Sequence, residues 1–259
     1  MDRETITAVV LTKNVEDIIE RCLKSISWVD EIIVVDACST DRTAEIVKGH
    51  NAKLISHDFS GSFADDRNLG IKHATKDWII QMDADEVMTD GLRRALENML
   101  SLRQKEYTGY KFLRKNYFLG HPMKYGGWHS YMTMIFKRGC GIFRGRIHEV
   151  LELDGKIGVI NEDMDHHPFQ TLTQFMYRQN RYTTLQARQL LEQKGVFPER
   201  EIRYNLMCRP YKLFWKFYVK KIGFREGFYG FIFSILYAWV HFLKWAKYWE
   251  LTKKKPIYE

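Results

Sequence analysis

The segment Trp78–Glu86, WIIQMDADE, combines an apolar run with a dense group of carboxylates. A short apolar run that is followed at once by turn residues is typical of a buried strand. Asp83 and Asp85 stand two residues apart where this predicted strand ends. Carboxylate oxygens on such a turn suit Mg²⁺ or Mn²⁺ held together with a diphosphate. The alternative is an acidic N-cap for the helix that follows.

Apolar runs of the same kind occur upstream, and helical patterns lie between them. The predicted strands are Thr5–Leu11, Glu31–Asp36, Ala52–Ser56 and Asp77–Met82. The predicted helices are Val15–Ile26, Arg42–Gly49, Asn68–Ala74 and Thr89–Leu102. Strands that alternate with helices through short loops predict an α/β fold, in which helices flank a mostly parallel sheet on both faces.

The carboxyl ends of these strands are the expected position of a ligand site. In open α/β sheets, ligands bind in the crevice beyond the carboxyl ends of the strands. Thr12, Asp36 and Asp83 each end or follow a predicted strand, so they should converge with Asp85 on one crevice. Neither G-x-G-x-x-G after the first strand nor GxxxxGK[ST] occurs, which argues against dinucleotide and P-loop chemistry.

Residues beyond 103 follow a different pattern, in which shorter strands lead to one long helix. The predicted elements are the strands Thr108–Arg114, Met132–Lys137 and Ile142–Glu149 and the helix Leu172–Gln193. No stretch rich in Pro, Gly or Ser divides the chain. We therefore expect one domain over residues 1–202, with halves at 1–103 and 104–202, and a helical tail over 203–259.

The composition limits the class of protein. The chain has 259 residues, 45% hydrophobic and 28% charged, with 5 Pro and 17 Gly. These values exclude collagen, a disordered tail protein and a small disulfide scaffold, and the length allows a sizeable core. The four cysteines are scattered without CxxC or metal-ligand spacing, which favours reduced thiols in the cytoplasm. The N-terminal residues show no signal-peptide pattern, so we expect a protein that is not exported.

Basic and aromatic side chains are concentrated in the tail. Residues 203–259 hold 12 Lys+Arg, 3 Asp+Glu and 18 of the 37 aromatic residues, a charge balance of +9. The first 202 residues carry 28 basic and 29 acidic side chains. Gly227–Leu243 is a run of 17 residues without Asp, Glu, Lys or Arg, at the lower limit of a membrane span of ~17–25 residues.

This combination favours helices that lie in the plane of an anionic membrane surface over one helix that spans it. A helix packed on the body and an oligomer interface are the alternatives. A basic nucleic-acid-binding module is a further alternative, given the net charge of +8. No nucleic-acid-binding motif occurs, however, and we expect no nucleic-acid partner.

Four motifs in order carry a family resemblance: TAVVLTKN, EIIVVDACSTDRT, FADDRNLGI and WIIQMDADE. They resemble the nucleotide-binding half of family 2 glycosyltransferases and cover residues 5–100. The resemblance implies the GT-A (Rossmann-like) fold and transfer of a sugar from a nucleotide diphosphate, with inversion. It also makes residues 1–103 the nucleotide-sugar-binding half and 104–202 the acceptor half.

The rest of the chain is similar to the lipopolysaccharide-core β-1,4-glucosyltransferase branch of that family. The similar segments are RIHE, HHPF before a long helix, and KKIGFREGFYGF in the tail. This resemblance implies glucose from UDP-glucose as the sugar, a cell-surface glycan as the acceptor, and a peripheral location at the inner face of the cytoplasmic membrane. A protein or peptide acceptor is the alternative.

The resemblance also assigns donor-binding residues. Thr12 and Asp36 match the residues that hold the uridine, and Arg67 and Asn68 match the pair beside the base. Carboxylates can accept hydrogen bonds from ribose hydroxyls or a uracil N–H, and Arg67 can donate to a carbonyl or a phosphate. The alternatives are that Asp36 only starts a turn and that Arg67 forms a surface ion pair.

The same resemblance makes Asp83 and Asp85 the DXD motif. It implies that Asp85 binds Mg²⁺ or Mn²⁺ directly, while Asp83 reaches the ribose or a metal-bound water. His167, or its neighbour His166, is the candidate for an imidazole ligand. A histidine pair without a third local ligand is weak evidence for a metal site, and a structural role before the long helix is the alternative.

Inversion requires a base that takes the proton from the acceptor hydroxyl. Glu149 is the candidate, because it lies where relatives place a catalytic carboxylate. Its alternative is a surface salt bridge with Arg144 or Arg146, and Asp163 or Asp165 is the reserve candidate for the base.

Two further features are weaker candidates. His148 could orient Glu149 or contact a phosphate, and a buried structural histidine is the alternative. The segment Tyr125–Trp128, YGGW, could stack against an acceptor sugar, and a glycine turn between packed aromatic residues is its alternative.

Overall fold

A computed structural model of the protein describes residues 3–59, 61–103, 106–145 and 149–253. The strands are β1 (Ile6–Thr12), β2 (Glu31–Asp36), β3 (Lys53–Ser56), β4 (Trp78–Asp83), β5 (Glu86–Met88), β6 (Gly109–Phe118), β7 (His121–Pro122), β8 (Ser130–Lys137), β9 (Gly141–Arg144), β10 (Val150–Leu153) and β11 (Ile157–Phe169). The helices are α1 (Ile19–Ser25), α2 (Thr43–Lys48), α3 (Phe63–His73), α4 (Asp90–Leu102), α5 (Leu172–Lys194), α6 (Glu199–Trp215) and α7 (Gly227–Lys253). A π-helical turn (Lys216–Lys220) and a 3₁₀ turn (Gly223–Glu226) lie between α6 and α7.

The chain divides into two compact units. Unit 1 contains residues 1–115 and 130–166, and unit 2 contains residues 116–129 and 167–259. The helix α5 therefore packs in the same unit as the tail helices. The boundary at 202/203 between the expected domain and its helical tail stays a prediction.

The expected α/β fold is confirmed, with a sheet that is mixed. Among the described residues, nine strands form one sheet, in which the path runs β3-β2-β1-β4-β8-β6-β11-β5 and β7 pairs with β6. The pairs β3–β2, β2–β1 and β1–β4 are parallel, as the alternation with helices predicts. From β4 to β8 and β6 the pairing is antiparallel. Since no helix crosses over between β6 and β8, these two strands can pair only as an antiparallel connection.

The parallel strands are buried because helices cover them. Ile6, Ala8, Val9 and Val10 of β1 have no exposed surface. Helix α3 approaches β1 at Gly70, where an added Cβ would lie 2.3 Å from Val9 Cγ1. The glycine therefore allows close contact between helix and sheet, and it sets the position of the polar residues on the same helix.

The start of α3 differs from the sequence-based prediction. The helix begins at Phe63 rather than Asn68, because Ser62 Oγ accepts a hydrogen bond from Asp65 N at 3.2 Å. This N-cap satisfies one of the backbone N–H groups that a helix start leaves without a partner. Arg67 and Asn68 are consequently helical residues.

Unit 2 is built from α5, α6 and α7 around aromatic cores. Phe118, Phe175 and Phe233 are buried in one cluster, with edge-to-face ring contacts at 5.6–6.2 Å. Within the described residues, the stretch Gly223–Lys253 is long and apolar enough to cross a membrane, judged by length and composition alone. The uncharged run predicted from the sequence lies within this stretch.

Candidate active site

Two neighbouring strand ends bring Thr12 and Asp36 together. The two residues are register partners in the parallel pair β1–β2. Thr12 Oγ1 donates to Asp36 Oδ1 at 2.9 Å, and the N–H and hydroxyl of Ser39 donate to the same carboxylate at 2.8 and 2.5 Å. Asp36 is 1% exposed. Its carboxylate therefore fixes the loop after β2, which is the turn-forming role that the sequence allowed, and it does so at the expected crevice.

Arg67 links two of the candidate residues. Its Nη2 donates to Asp83 Oδ1 at 2.9 Å, and its Nε donates to Glu149 Oε1 at 3.0 Å. Arg67 is 5% exposed, so the surface ion pair considered from the sequence does not describe it. Burial opposes its charge, but the carboxylates of Asp83 and Glu149 more than offset this and raise the pKa of Arg67.

A second arginine completes the environment of Asp83. Arg114 Nη2 donates to Asp83 Oδ2 at 3.1 Å, and Arg114 Nε lies 2.8 Å from Glu86 Oε1. Burial raises the pKa of Asp83, but Arg67 and Arg114 more than offset it, and this pKa lies below its ordinary value. Asp83 is therefore held as a carboxylate. Burial raises the pKa of Glu86 above its ordinary value, with Arg114 acting in the opposite direction.

Asp85 lies beside a histidine of β11. The antiparallel pair β11–β5 sets His166 opposite Glu86, and His166 Nε2 is 3.4 Å from Asp85 Oδ1. His167, on the other side of the strand, stacks on the ring of Tyr117 at 4.2 Å within unit 2. The role of His167 as a metal ligand stays a prediction. In the structure, His166 is the histidine that lies beside Asp85.

Asn68 holds the strand that leads towards Glu149. Its Nδ2 donates to Phe143 O at 2.8 Å, and its Oδ1 accepts from Phe143 N at 2.9 Å. The amide thus pairs with the backbone of β9 as a neighbouring strand would. Strand β9 pairs with β10 in register Arg144 with Val150, so Glu149 directly precedes a paired residue. Consecutive residues of α3 therefore hold both β9 and Glu149.

The surface salt bridge considered for Glu149 is not formed with Arg144. Arg144 Nε instead contacts Glu152 Oε2 at 2.6 Å across the hairpin. Arg146 and His148 lie outside the described residues. Asp163 accepts a hydrogen bond from Thr89 Oγ1 through its backbone oxygen, at 2.6 Å. Its role as reserve base stays a prediction.

The charges of this site do not balance. Four carboxylates meet only two guanidinium groups here; the groups are Asp83, Asp85, Glu86, Glu149, Arg67 and Arg114. Within the described residues, no group of three or more His, Cys, Asp or Glu side chains is arranged to hold a metal ion by itself. A cation that is bound to phosphates takes one or two carboxylates from a protein, and Asp85 supplies one with the His166 imidazole beside it. The donor set therefore fits a divalent cation that shares its coordination with a diphosphate.

Some polar contacts of the site are not predicted from the sequence. Lys13 Nζ donates to the carbonyls of Ala37 and Cys38 at 2.5 and 2.6 Å and closes the loop above Asp36. Lys13 directly follows β1, and this position at a strand end indicates a place at the ligand site. Arg114 lies in the middle of β6 and had no signal, because only the strand order brings it to Asp83.

Comparisons with known proteins give a family. The family model described as "Glycosyl transferase family 2" matches residues 7–180. A Rickettsia felis protein named "Uncharacterized glycosyltransferase" is 28% identical, over 98% of this chain and 93% of its own length. The "Lipopolysaccharide core biosynthesis glycosyltransferase LpsC" of Rhizobium meliloti is 25% identical, over 95% and 92% of the two chains.

Solved structures with a similar chain trace include two that hold a uridine nucleotide. S. aureus TarS 1-349 in complex with UDP is 15% identical, with a TM-score of 0.48 over 98% of this chain and 93% of that one. Glucosyl-3-phosphoglycerate synthase from Mycobacterium tuberculosis, in complex with Mn²⁺, UDP and glucosyl-3-phosphoglycerate, is 18% identical, with a TM-score of 0.48 over 76% and 82%.

Proposed function

The chain belongs to glycosyl transferase family 2, and from this premise we propose an inverting transferase that moves glucose from UDP-glucose to a cell-surface glycan. One observation carries the proposal: Arg67 joins Asp83, of the DXD motif, to Glu149, the candidate base. A donor-binding carboxylate and a second carboxylate beside it are what an inverting transfer needs.

The donor would bind at the strand ends. Thr12 and Asp36 would hold the uridine, with Asp36 already oriented by Ser39. Arg67 and Asn68 remain the residues predicted to lie beside the uracil base of the donor. Because Asp36 is almost fully buried, uridine would contact the remaining face of its carboxylate and the loop that it fixes.

A divalent cation is part of the proposal. Asp85 and His166 would hold Mg²⁺ or Mn²⁺, with Asp83 turned towards the ribose or a bound water, and His167 is the predicted alternative to His166. The cation would supply charge stabilisation for the departing diphosphate. Binding it would also offset the excess negative charge of the site.

The chemical step falls to Glu149. Its carboxylate would take the proton of the acceptor hydroxyl as that oxygen attacks the anomeric carbon from the face opposite the diphosphate. Arg67 would orient the carboxylate before the acceptor arrives. The proton then rests on Glu149, and the bond electrons leave with the diphosphate.

The acceptor and the location are proposed from the relatives. The name of the Rhizobium protein supports a lipopolysaccharide core acceptor, since the two chains align over nearly their full lengths. Such an acceptor is attached to a lipid. We therefore place the enzyme as a peripheral protein at the inner face of the cytoplasmic membrane.

The test is a donor panel. The purified protein is incubated with UDP-, GDP- and dTDP-sugars in the presence of Mn²⁺, and slow hydrolysis of each sugar nucleotide is followed. We expect hydrolysis of UDP-glucose above the others, and its loss in Asp85→Ala. Hydrolysis of none of these sugar nucleotides by the wild-type protein would refute the proposed function.

A further inference from the structure

Helix α7 carries an exposed apolar stripe along its length. Projection at 100° per residue brings five of its six exposed large apolar residues into a sector of about 60°, and Tyr229 lies outside that sector. The α7 stripe consists of Phe228, Phe231, Ile235, Phe242 and Trp249, which are 36–73% exposed. Only 22% of the most apolar window of this helix is buried inside the protein. An aqueous surface does not favour an apolar stripe of this length, so the stripe requires a partner.

Helix α6 carries a second stripe with cations beside it. Its exposed apolar residues fall in a sector of about 80° by the same projection. The α6 stripe consists of Tyr204, Met207, Tyr211 and Trp215, of which Met207 is 77% exposed. Ile202 packs with Trp245 and Tyr248, while Phe214 contacts Phe231 at 6.0 Å. The two helices therefore run antiparallel, and Phe231 of the α7 stripe contacts α6.

Cations line a cavity at the end of α6. The cavity has a volume of about 660 Å³ and is lined by Arg209, Lys212, Trp215, Lys216, Lys220 and Lys221, among others. Residues 202–225 contain seven Lys+Arg and no Asp or Glu. Arg203 pairs with Glu199 at 2.8 Å, whereas among the described residues no acidic side chain forms a salt bridge with the cations that line the cavity. An apolar stripe and an unbalanced positive charge at one concave surface point to an anionic lipid headgroup.

The packing of α7 opposes a membrane span. Lys247 Nζ donates to Asn180 Oδ1, Thr183 Oγ1 and Thr184 Oγ1 of α5 at 2.7–2.9 Å. Tyr248 OH donates to Gly195 O at 2.7 Å. A span by α7 would draw the polar helix α5 into the hydrocarbon or break these contacts, and both are costly.

We propose that α6 and α7 lie in the plane of an anionic lipid bilayer, with both stripes in the headgroup region and lipid phosphates in the cationic cavity. The proposal specifies which residues would attach the enzyme to the membrane. It rests on the proposed function in one respect, since a lipid-linked acceptor explains why the enzyme would dock there. The charge excess selects a bilayer over a second copy of this chain, since two copies would bring like charges together.

Liposome flotation of the full chain tests the charge and the stripe separately. The charge variant reverses three cations of the cavity: Lys212→Glu, Lys216→Glu and Lys220→Glu. Its control reverses three exposed lysines of unit 1: Lys48→Glu, Lys53→Glu and Lys72→Glu. The stripe variant is Phe228→Gln, Ile235→Gln and Phe242→Gln, and its control is Leu102→Gln, Ile157→Gln and Val159→Gln, also exposed and in unit 1.

We expect wild type and both controls to bind vesicles that contain anionic lipid. Each lysine near such a surface contributes about fivefold in binding, so the charge variant should lose at least a hundredfold. The stripe variant should lose binding to anionic and neutral vesicles alike. Equal losses in variants and controls, or failure of wild type to bind any vesicle, would overturn the proposal. Uridine nucleotide binding in lipid-free solution tests the proposed function independently.

Depth measurement separates the in-plane arrangement from a span. A fluorophore is attached to Phe228→Cys, Ile235→Cys, Phe242→Cys or Trp249→Cys, with the exposed Cys38 and Cys208 changed to Ser. Quenching by lipids labelled at different depths should place all four probes at one shallow depth. A maximum of depth at Ile235 and Phe242 would show a span and overturn the proposal.

Discussion

Removal of the Arg67 charge should destabilise unit 1 strongly. Arg67→Met keeps the length of the side chain and removes the charge that lies 2.9 Å from Asp83 and 3.0 Å from Glu149. At an effective dielectric constant of about 20, each contact is worth roughly 5–6 kcal/mol of Coulomb attraction before desolvation is subtracted. Asp83 retains Arg114, whereas Glu149 loses its counter-charge. We therefore expect a loss of about 3–5 kcal/mol in the free energy of unfolding, as for one partner of a buried ion pair.

The assay is thermal and urea unfolding of the variant beside a matched control. Arg93→Met removes an arginine that contacts Glu97 at the same 3.0 Å, but whose side chain is 46% exposed. This change should cost at most about 1 kcal/mol. For a chain of this size, the Arg67 variant should melt roughly 6–20 °C lower than wild type.

A double variant identifies the cause of the loss. Glu149→Gln removes the carboxylate that Arg67→Met leaves without a counter-charge, so the pair of changes should cost clearly less than their sum. Additive costs would show that the two side chains do not interact. A loss in Arg67→Met no larger than in Arg93→Met would refute the buried bridge itself.

The remaining predictions concern the donor, the cation and the packing of α3. Asp36→Ala should weaken UDP binding, whereas Glu149→Gln should keep UDP affinity and lose turnover; wild-type turnover in Glu149→Gln would place the base elsewhere. Asp85→Ala should abolish transfer while the melting temperature stays close to wild type, and full wild-type activity in excess EDTA would contradict the cation proposal. Gly70→Ala should cost about 1–3 kcal/mol by overpacking against Val9, and Val9→Ala in the same chain should recover part of it; unfolding curves that match wild type would contradict the close contact.

The strands of the first hundred residues could be predicted because the central ones, β1, β2 and β4, are largely buried. Such strands are continuous apolar runs, and the residues that end them lie on one edge of the sheet. Thr12 and Asp36 were therefore predicted together and are in contact. The predicted start of α3 at Asn68 is five residues too late, since Ser62 caps the helix before Phe63.

The contacts between the charged residues of the site could not be predicted from the sequence, because they link distant parts of the chain. Arg67 and Glu149 are 82 residues apart, and Arg114 and Asp83 are 31 apart. A sequence shows which side chains carry charge, but the order of the strands decides which charges meet. The position of β6 beside β8, and of β8 beside β4, is what brings Arg114 to Asp83.

The tail motif KKIGFREGFYGF has a structural explanation besides any contact with lipid. The Glu226 carboxylate accepts hydrogen bonds from the backbone N–H groups of Lys124 and Tyr125 at 2.7 and 2.6 Å. Gly230 has no room for a side chain, since an added Cβ would lie 1.9 Å from Gly223 O. The motif therefore closes the 3₁₀ turn and fixes the YGGW loop within unit 2. A buried carboxylate that orders a loop explains the acidic residue in a basic tail, and it separates the part of the tail that builds the fold from the stripes and cations that face outwards.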